Sequence, residues 1–253
     1  MSTPKISATI ITLNEEENIR AAIESVRQFC EEIIVVDSES SDRTREFARQ
    51  MGAKVYVQPY LGDGLQKDYG VQFATNDWIF SIDADERVDE DLVAWIRDFD
   101  LDKAHLDAFA FSRKNYIGNR FQSIWHPDYV IRLYDKNRCR YDPIGGHSKV
   151  NAKNFQQIKV HIHHFSFSDY HDLMLRITKF SKRSAQIMAE SGTKAGFMTP
   201  WLHSLHNFVK YYFFKGGFFR GMDGLTVSVA TSFEAYMKYA QLYENRIFKN
   251  ITD

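Results

Sequence analysis

The chain has 253 residues, a formal charge of −1 from 32 Lys plus Arg against 33 Asp plus Glu, and two cysteines. That length supports one large domain, or a domain with a substantial appendage. The balanced charge gives no global argument for nucleic-acid binding, and Cys30 and Cys139 have neither disulfide-framework nor metal-ligand spacing, which fits a reducing cytosol. No cationic, apolar signal segment opens the chain, and no uncharged apolar run approaches the roughly 18–20 residues that span a bilayer, so a cytoplasmic location is expected.

The first hundred residues alternate strand and helix. Residues 6–13 are apolar and β-branched; Asn14 with Glu17 three residues on reads as a capping box, and Ile19, Ile23, Val26 and Cys30 follow at helical spacing. Residues 33–36 form a second apolar run ending in Asp37, and Asp42 is placed to cap a short helix that Gly52 ends. Residues 54–57 read as a third strand, residues 65–74 as a helix, and residues 78–82 as a fourth strand that empties into Asp83 and Asp85. This alternation predicts an α/β fold, a Rossmann-like, mostly parallel sheet with helices on both faces. Beyond Asp100, strands at residues 108–113, 129–134 and 157–163 are joined by polar, Gly- and Pro-containing connections and predict a mixed or antiparallel extension. From Ser168 the chain reads as helical. Leu173, Ile177, Phe180 and Ile187 share a face, Pro200 opens another helix, residues 209–220 are aromatic and basic, and a final helix covers about residues 225–246.

Three strand ends carry polar groups: Thr12, Asn14, Glu15 and Glu16; Asp37, Ser38 and the residues up to Asp42; and Asp83 with Asp85. In an open α/β sheet ligands bind beyond the carboxyl ends of the strands, where an Asp after the second strand is placed to accept hydrogen bonds from a ribose or a base. Residues two apart on a strand point the same way, so Asp83 and Asp85 are expected to converge, and hard carboxylate oxygens suit Mg2+, Mn2+ or Ca2+. The bland alternative is a solvated turn. No Gly-x-Gly-x-x-Gly follows the first strand and no P-loop is present, which disfavours a dinucleotide cofactor and ATP hydrolysis.

The ordered segments Ser7-Ala8-Thr9-Ile10-Ile11-Thr12-Leu13-Asn14-Glu15-Glu16, Ile34-Val35-Val36-Asp37-Ser38-x-Ser40-x-Asp42-x-Thr44 and Ile82-Asp83-Ala84-Asp85-Glu86 resemble the inverting A-type (GT-A) glycosyltransferases of family two. Trp125-His126-Pro127-Asp128 and Arg132-Leu133-Tyr134 are similar to a narrower branch, the bacterial lipopolysaccharide inner-core β-glucosyltransferases. The resemblance implies a nucleotide-sugar-binding and catalytic GT-A domain over residues 1–165, and the helical C-terminal region over residues 166–253 is expected, from its own aromatic and basic residues, to make acceptor and membrane-surface contact. It implies a UDP-sugar donor, with Asp37, Ser38 and the loop Thr12, Asn14, Glu15, Glu16 at the uridine, Asp83 and Ala84 at the ribose and diphosphate, and Lys67 as a point charge for phosphate. Asp85, with Asp83 and His164 as further ligands, would hold Mn2+ or Mg2+. The implied reaction is inverting transfer of a hexose onto a lipopolysaccharide core heptose or similar lipid-linked glycan, peripherally, at the inner face of the inner membrane.

An inverting transfer needs a base for the acceptor hydroxyl. Where the branch has a His-Glu pair this chain has His147-Ser148, and a serine is no comparable base; Asp128 is the leading candidate, with Asp142 and His147 as alternatives. In the plain structural reading Asp128 pairs with Arg132. Of the clustered histidines, His161 and His163 share a strand face and His164 takes the other. Residues 209–220 read as a helical cap, as a membrane-surface segment through Lys and Arg among Phe and Tyr, or as an acceptor contact. Two rival readings stand beside transfer. A sugar-phosphate nucleotidyltransferase is disfavoured because Asn14-Glu15-Glu16-Glu17 occupies the place of its Gly-rich basic loop; a non-catalytic, membrane-docked GT-A scaffold is left open by Ser148. Nothing in the sequence specifies the oligomeric state.

Overall fold

The computed structural model describes residues 5–101, 105–142 and 149–252; His147, the alternative base, and Ser148, the departure from the branch, lie outside the described residues. The chain forms two compact units, one of Met1–Asn115 with His126–Phe165 and one of Tyr116–Trp125 with Ser166–Asp253.

The first unit opens with β1 (Ile6–Thr12), α1 (Ile19–Arg27), β2 (Glu32–Asp37), α2 (Thr44–Gln50), β3 (Lys54–Val57), α3 (Asp63–Val71) and β4 (Trp78–Asp83). Then follow β5 (Glu86–Val88), α4 (Glu90–Asp98), β6 (Ala108–Ile117), the short β7 (Arg120–Phe121), β8 (Asp128–Asp135) and β9 (Phe155–Phe167), with β7 and the ends of β6 and β9 belonging to the second unit. Among the described residues the sheet runs β3-β2-β1-β4-β8-β6-β9-β5, with β7 paired to β6. The pairs β1–β2, β1–β4 and β2–β3 are parallel, whereas β4–β8, β6–β8 and β5–β9 are antiparallel, matching the expected change of pattern after the fourth strand.

The near-continuous apolar runs of the parallel strands are explained by burial on both faces. Ile6, Ala8 and Ile10 of β1 and Phe80 and Ile82 of β4 meet Ile19, Ile23 and Val26 of α1 and Leu92, Val93 and Ile96 of α4. On the other face Ile34 and Val36 of β2 and Ile79 of β4 pack with Val71 of α3, Tyr134 and Tyr141. Both cysteines are buried free thiols.

Helix α1 starts later than its capping-box signal. Asn14 has φ 54° and its side chain serves the neighbouring loop, and the cap position falls on Asn18 with no side-chain cap bond. Asp42 accepts from the Thr44 amide from one position before the actual cap, Arg43. Neither β5 nor α4 was anticipated. Helix α4 is capped by Asp89, which accepts from the Asp91 amide.

One buried carboxylate ties the parallel strands together. Glu32, at the start of β2, accepts from Ser7 Oγ of β1 at 2.7 Å, from the Thr75 amide ahead of β4 at 2.8 Å, and pairs with Lys54 Nζ of β3 at 2.6 Å. Burial alone would raise its carboxyl, but Lys54 and the Thr75 and Ser7 donors bring it down to about 2 from 4.5. Because the folded value is depressed, this carboxylate stabilises the fold fully above about pH 4.5, and the contribution is lost as pH falls toward about 2. Glu32→Gln is expected to cost about 1–3 kcal/mol at neutral pH and to flatten the acid limb of stability. Urea titrations at pH 7, 4 and 3 check this; a variant that follows the wild-type acid limb would show that the limb originates elsewhere.

The second unit contains α5 (Tyr170–Glu190), α6 (Thr199–Val209), a π-helical turn (Lys210–Phe214), a 3-10 turn (Gly217–Arg220) and α7 (Gly221–Thr252). Pro200 lies in the first turn of α6, as its fixed φ predicts. The core holds Ile117, Ile124, Leu173, Ile177, Val227 and Ala230. Phe180 does not join it and is exposed, because the buried stripe of α5 runs Leu173, Ile177, Ser181, Ala185, in steps of four that leave Phe180 on its edge. Gly217 and Gly224 meet backbone to backbone, leaving no room for a Cβ at either. Among the described residues no helix is long and apolar enough to cross a membrane.

Candidate active site

The carboxyl ends of β1, β2 and β4 lie side by side through the registers Thr12↔Asp37 and Ile11↔Asp83. The loops after β1 and β2 are stitched to each other. The Asn14 amide donates to Ser40 Oγ at 2.8 Å, and the Ser41 amide donates back to Asn14 Oδ1 at 2.8 Å. The Glu15 amide donates to Thr44 Oγ1 at 2.7 Å, the Glu16 amide to Asp42 Oδ2 at 3.1 Å, and Glu16 accepts from the Arg43 amide at 3.0 Å. Asp37 is fully buried beneath this platform; its oxygens accept the amide and hydroxyl of Ser40, with Arg45 Nε at 3.5 Å. Asp37 therefore shapes this loop from below and does not line its surface. Ser38 is anchored by its amide on Thr12 O and by Gln66 Nε2, which donates to its hydroxyl at 3.0 Å. The Thr12 hydroxyl is buried with no hydrogen-bond partner among the described residues, a cost that a polar ligand at the strand ends would remove.

The two aspartates after β4 do not share one role. Strand geometry ends at Asp83, and Ala84 and Asp85 form the turn into β5, so the period-two expectation stops there. Asp83 sits between two cations, Lys67 Nζ at 2.7 Å from Oδ1 and Arg132 NH2 at 2.6 Å from Oδ2. Burial alone would raise its carboxyl, but Arg132 and Lys67 hold it well below the usual carboxylate range. Arg132 also meets the fully buried Glu86 at 2.5 Å, and Glu86 Oε2 accepts the Asp83 amide at 3.1 Å. Burial disfavours the Arg132 charge, yet Asp83 and Glu86 drive its value well above the ordinary one.

Asp85 instead faces His164 on β9, with Oδ2 3.4 Å from Nε2. Asn115 Oδ1 lies 2.7 Å from His164 Nδ1. An amide oxygen only accepts, so Nδ1 donates there and Nε2 is turned toward Asp85. A ring N–H donated to a carbonyl, with the other nitrogen left bare, is the outer-shell arrangement of metal-ligating histidines. Among the described residues no three His, Cys, Asp or Glu side chains gather as a metal cage. One carboxylate and one oriented imidazole are donors that suit a divalent cation such as Mn2+ or Mg2+. Asp83, with both oxygens on cations, is less available to a metal than Asp85.

Asn115 also reaches the candidate base. Its Nδ2 donates to Asp128 Oδ2 at 3.2 Å, and Arg113 donates to the same oxygen from Nε at 2.9 Å, with NH2 at 2.7 Å. Asp128 pairs with Arg113 of the adjacent β6, not with Arg132, because the register sets Arg113 opposite Asp128. Every hydrogen bond found to Asp128 among the described residues falls on Oδ2. A continuous polar chain therefore runs Lys67, Asp83, Arg132, Glu86, Arg113, Asp128, Asn115, His164, Asp85.

Of the other sequence candidates, His163 faces Asp89 at 3.3 Å, and His161 is paired in a ring contact with His126. Asp142 adjoins the residues outside the description and donates its amide to Lys149 O. Sequence reasoning missed Arg113, Asn115 and Arg87. Arg87 fastens the Ala84 turn by donating to Ala84 O, Glu86 O, and Asn18 O and Oδ1. The available signal for the first two was a strand, Ala-Phe-Ala-Phe-Ser-Arg-Lys-Asn-Tyr-Ile, that places Arg and Asn two apart in an apolar run.

The family described as Glycosyl transferase family 2 matches residues 7–171 of the chain. An uncharacterised glycosyltransferase of Rickettsia bellii is 31% identical over 96% of this chain and 87% of its own length. The lipopolysaccharide core biosynthesis glycosyltransferase LpsC of Rhizobium meliloti is 26% identical over 96% of this chain and 94% of its own. Among solved structures, glucosyl-3-phosphoglycerate synthase from Mycobacterium tuberculosis in complex with phosphoglyceric acid aligns with a TM-score of 0.51 at 16% identity, covering 76% of this chain and 82% of that one; this likeness concerns the fold.

Proposed function

Because the chain belongs to glycosyl transferase family 2 and has the GT-A fold, we propose that it transfers a hexose, glucose from UDP-glucose, with inversion onto a heptose of a lipopolysaccharide core or a comparable lipid-linked glycan. The observation that carries this reading is the division of the two aspartates, one clamped by cations and one turned to an oriented histidine. The similarity to LpsC supports the acceptor class, and a lipid-linked acceptor would bring the enzyme to a membrane surface.

In this reading Thr12, Asn14, Glu15, Glu16, Asp37 and Ser38 form the nucleoside platform. Asp83 and Ala84 lie at the ribose and diphosphate, with Asp83 kept ionised by Lys67 and Arg132 so that it acts as a hydrogen-bond acceptor. Asp85 and His164 would hold Mg2+ or Mn2+, which would supply Lewis-acid stabilisation of negative charge on a diphosphate. Asp128 takes the acceptor proton on Oδ1, while Arg113 and Asn115 fix its orientation through Oδ2.

A thermal-shift screen of UDP-sugars with Mn2+ tests the donor, since a ligand at 100 times its Kd stabilises by about 2.7 kcal/mol. UDP-glucose is expected to give the largest shift. Asp128→Asn is expected to keep UDP affinity within about twofold and to lose transfer by about 10²–10⁴-fold. Unchanged transfer would remove Asp128 from the mechanism, and no shift with any UDP-sugar would remove the donor assignment.

A further inference from the structure

We propose that the outward face of α6 and the two turns after it inserts into the interface of an anionic lipid bilayer. This deepens the membrane-surface part of the reading above and stands apart from its donor chemistry. In the second unit Trp201 and Leu205 of α6, Phe214 of the π-helical turn, and Phe218 and Phe219 of the 3-10 turn all point to solvent. Phe214 is 84% and Phe219 86% exposed. Two nearly bare phenylalanines alone present about 300 Å² of apolar surface, and the Phe219 ring continues through Phe218 to Tyr212.

The exposure is built in. The inner side of α6 is fastened to α7 by Ser204 Oγ and Ser232 Oγ at 2.8 Å, by Asn207 Nδ2 donating to Thr231 O at 3.4 Å, and by His203 stacked on Tyr239. The turn that carries Phe218 and Phe219 is fixed by the close approach of Gly217 to Gly224 and by Arg220 NH1, which donates to Gly216 O at 2.6 Å. The apolar rings are thereby held outward.

Charge identifies the occupant. Residues 191–222 contain Lys194, Lys210, Lys215 and Arg220, the last of them engaged with Lys215 O and Gly216 O, and not one Asp or Glu. A protein partner is met by a rim of mixed polarity, whereas an acidic leaflet is met by cations alone around Trp, Phe and Leu. Each cation near such a leaflet strengthens partition about fivefold. No described helix can cross the bilayer, so the contact lies in the plane of the interface.

The test uses the full chain with vesicles of phosphatidylglycerol and phosphatidylcholine, 1:1, and of phosphatidylcholine alone. Flotation is expected to show at least about tenfold stronger binding to the acidic vesicles. Brominated acyl chains are expected to quench Trp201, and Trp201→Phe to remove that quenching. F214S/F219S should weaken binding at least about tenfold and K210Q/K215Q about thirtyfold. Both variants should keep Mn2+-dependent UDP binding, which separates this proposal from the donor reading. Absence of binding to acidic vesicles, wild-type binding by F214S/F219S, or a wild-type dimer that F214S/F219S dissociates would overturn it, the last by making a second copy the occupant.

Discussion

Asp85→Asn is expected to lower sugar transfer by at least about 100-fold and to abolish the Mn2+-dependence of UDP binding. Changing an outer-shell partner of a metal site already costs about 10–100-fold in affinity or activity, and a direct carboxylate ligand should cost no less. The substitution keeps shape and removes the charge, so His164 is left facing an amide whose oxygen is a far weaker anchor for a hard cation. UDP titrations with and without Mn2+ should coincide in the variant and diverge in the wild type. If the variant still binds UDP more tightly with Mn2+, the cation is held elsewhere. Asp83→Asn offers the contrast. It leaves two buried cations, Lys67 and Arg132, with one fewer carboxylate, and its damage should show in stability as well as in activity.

Arg132→Met is expected to destabilise the first unit by about 3–5 kcal/mol, because removing one member of a buried ionic cluster strands the others. Arg132 lies between Asp83 and Glu86, and without it those carboxylates face each other with Lys67 and Arg113 as the remaining cations of the cluster. An apparent Tm about 10 °C lower is the corresponding thermal result. The double variant R132M/E86Q removes one of the stranded charges and should recover a substantial part of the loss. A cost below about 1 kcal/mol for R132M, by denaturant titration, would show that the cluster is solvated and that its compactness carries little energy.

Strands β1, β2 and β4 were legible because each is an apolar run ended by a polar residue, and a strand buried on both faces has little freedom to read otherwise. Strand β5 was not legible. Glu86-Arg87-Val88 holds a single apolar residue, and its strand geometry comes from pairing with His164, His163 and Ile162, far along the chain. Helix α4 was legible in principle from Asp89, Leu92, Val93 and Ile96, but Glu90, Asp91, Arg97 and Asp98 dilute its apolar signal. At the site, sequence spacing found both aspartates but not their separation, since alternation holds only while the strand continues and the chain turns at Ala84. Asn115 could not be inferred by spacing at all. Asp128 and His164, which it meets, come from β8 and β9, and the sheet order brings them together.

The stitched loops after β1 and β2 bear on the kinetics of donor capture. Free loops must lose about 1–2 kcal/mol of backbone entropy per residue when a ligand orders them. Here Asn14, Glu15 and Glu16 are already tied to Ser40, Ser41, Thr44 and Asp42, so that loss is met during folding. If the proposed donor binds here, its association needs no slow ordering of this platform, and differences in affinity among nucleotide sugars should appear in how fast each leaves.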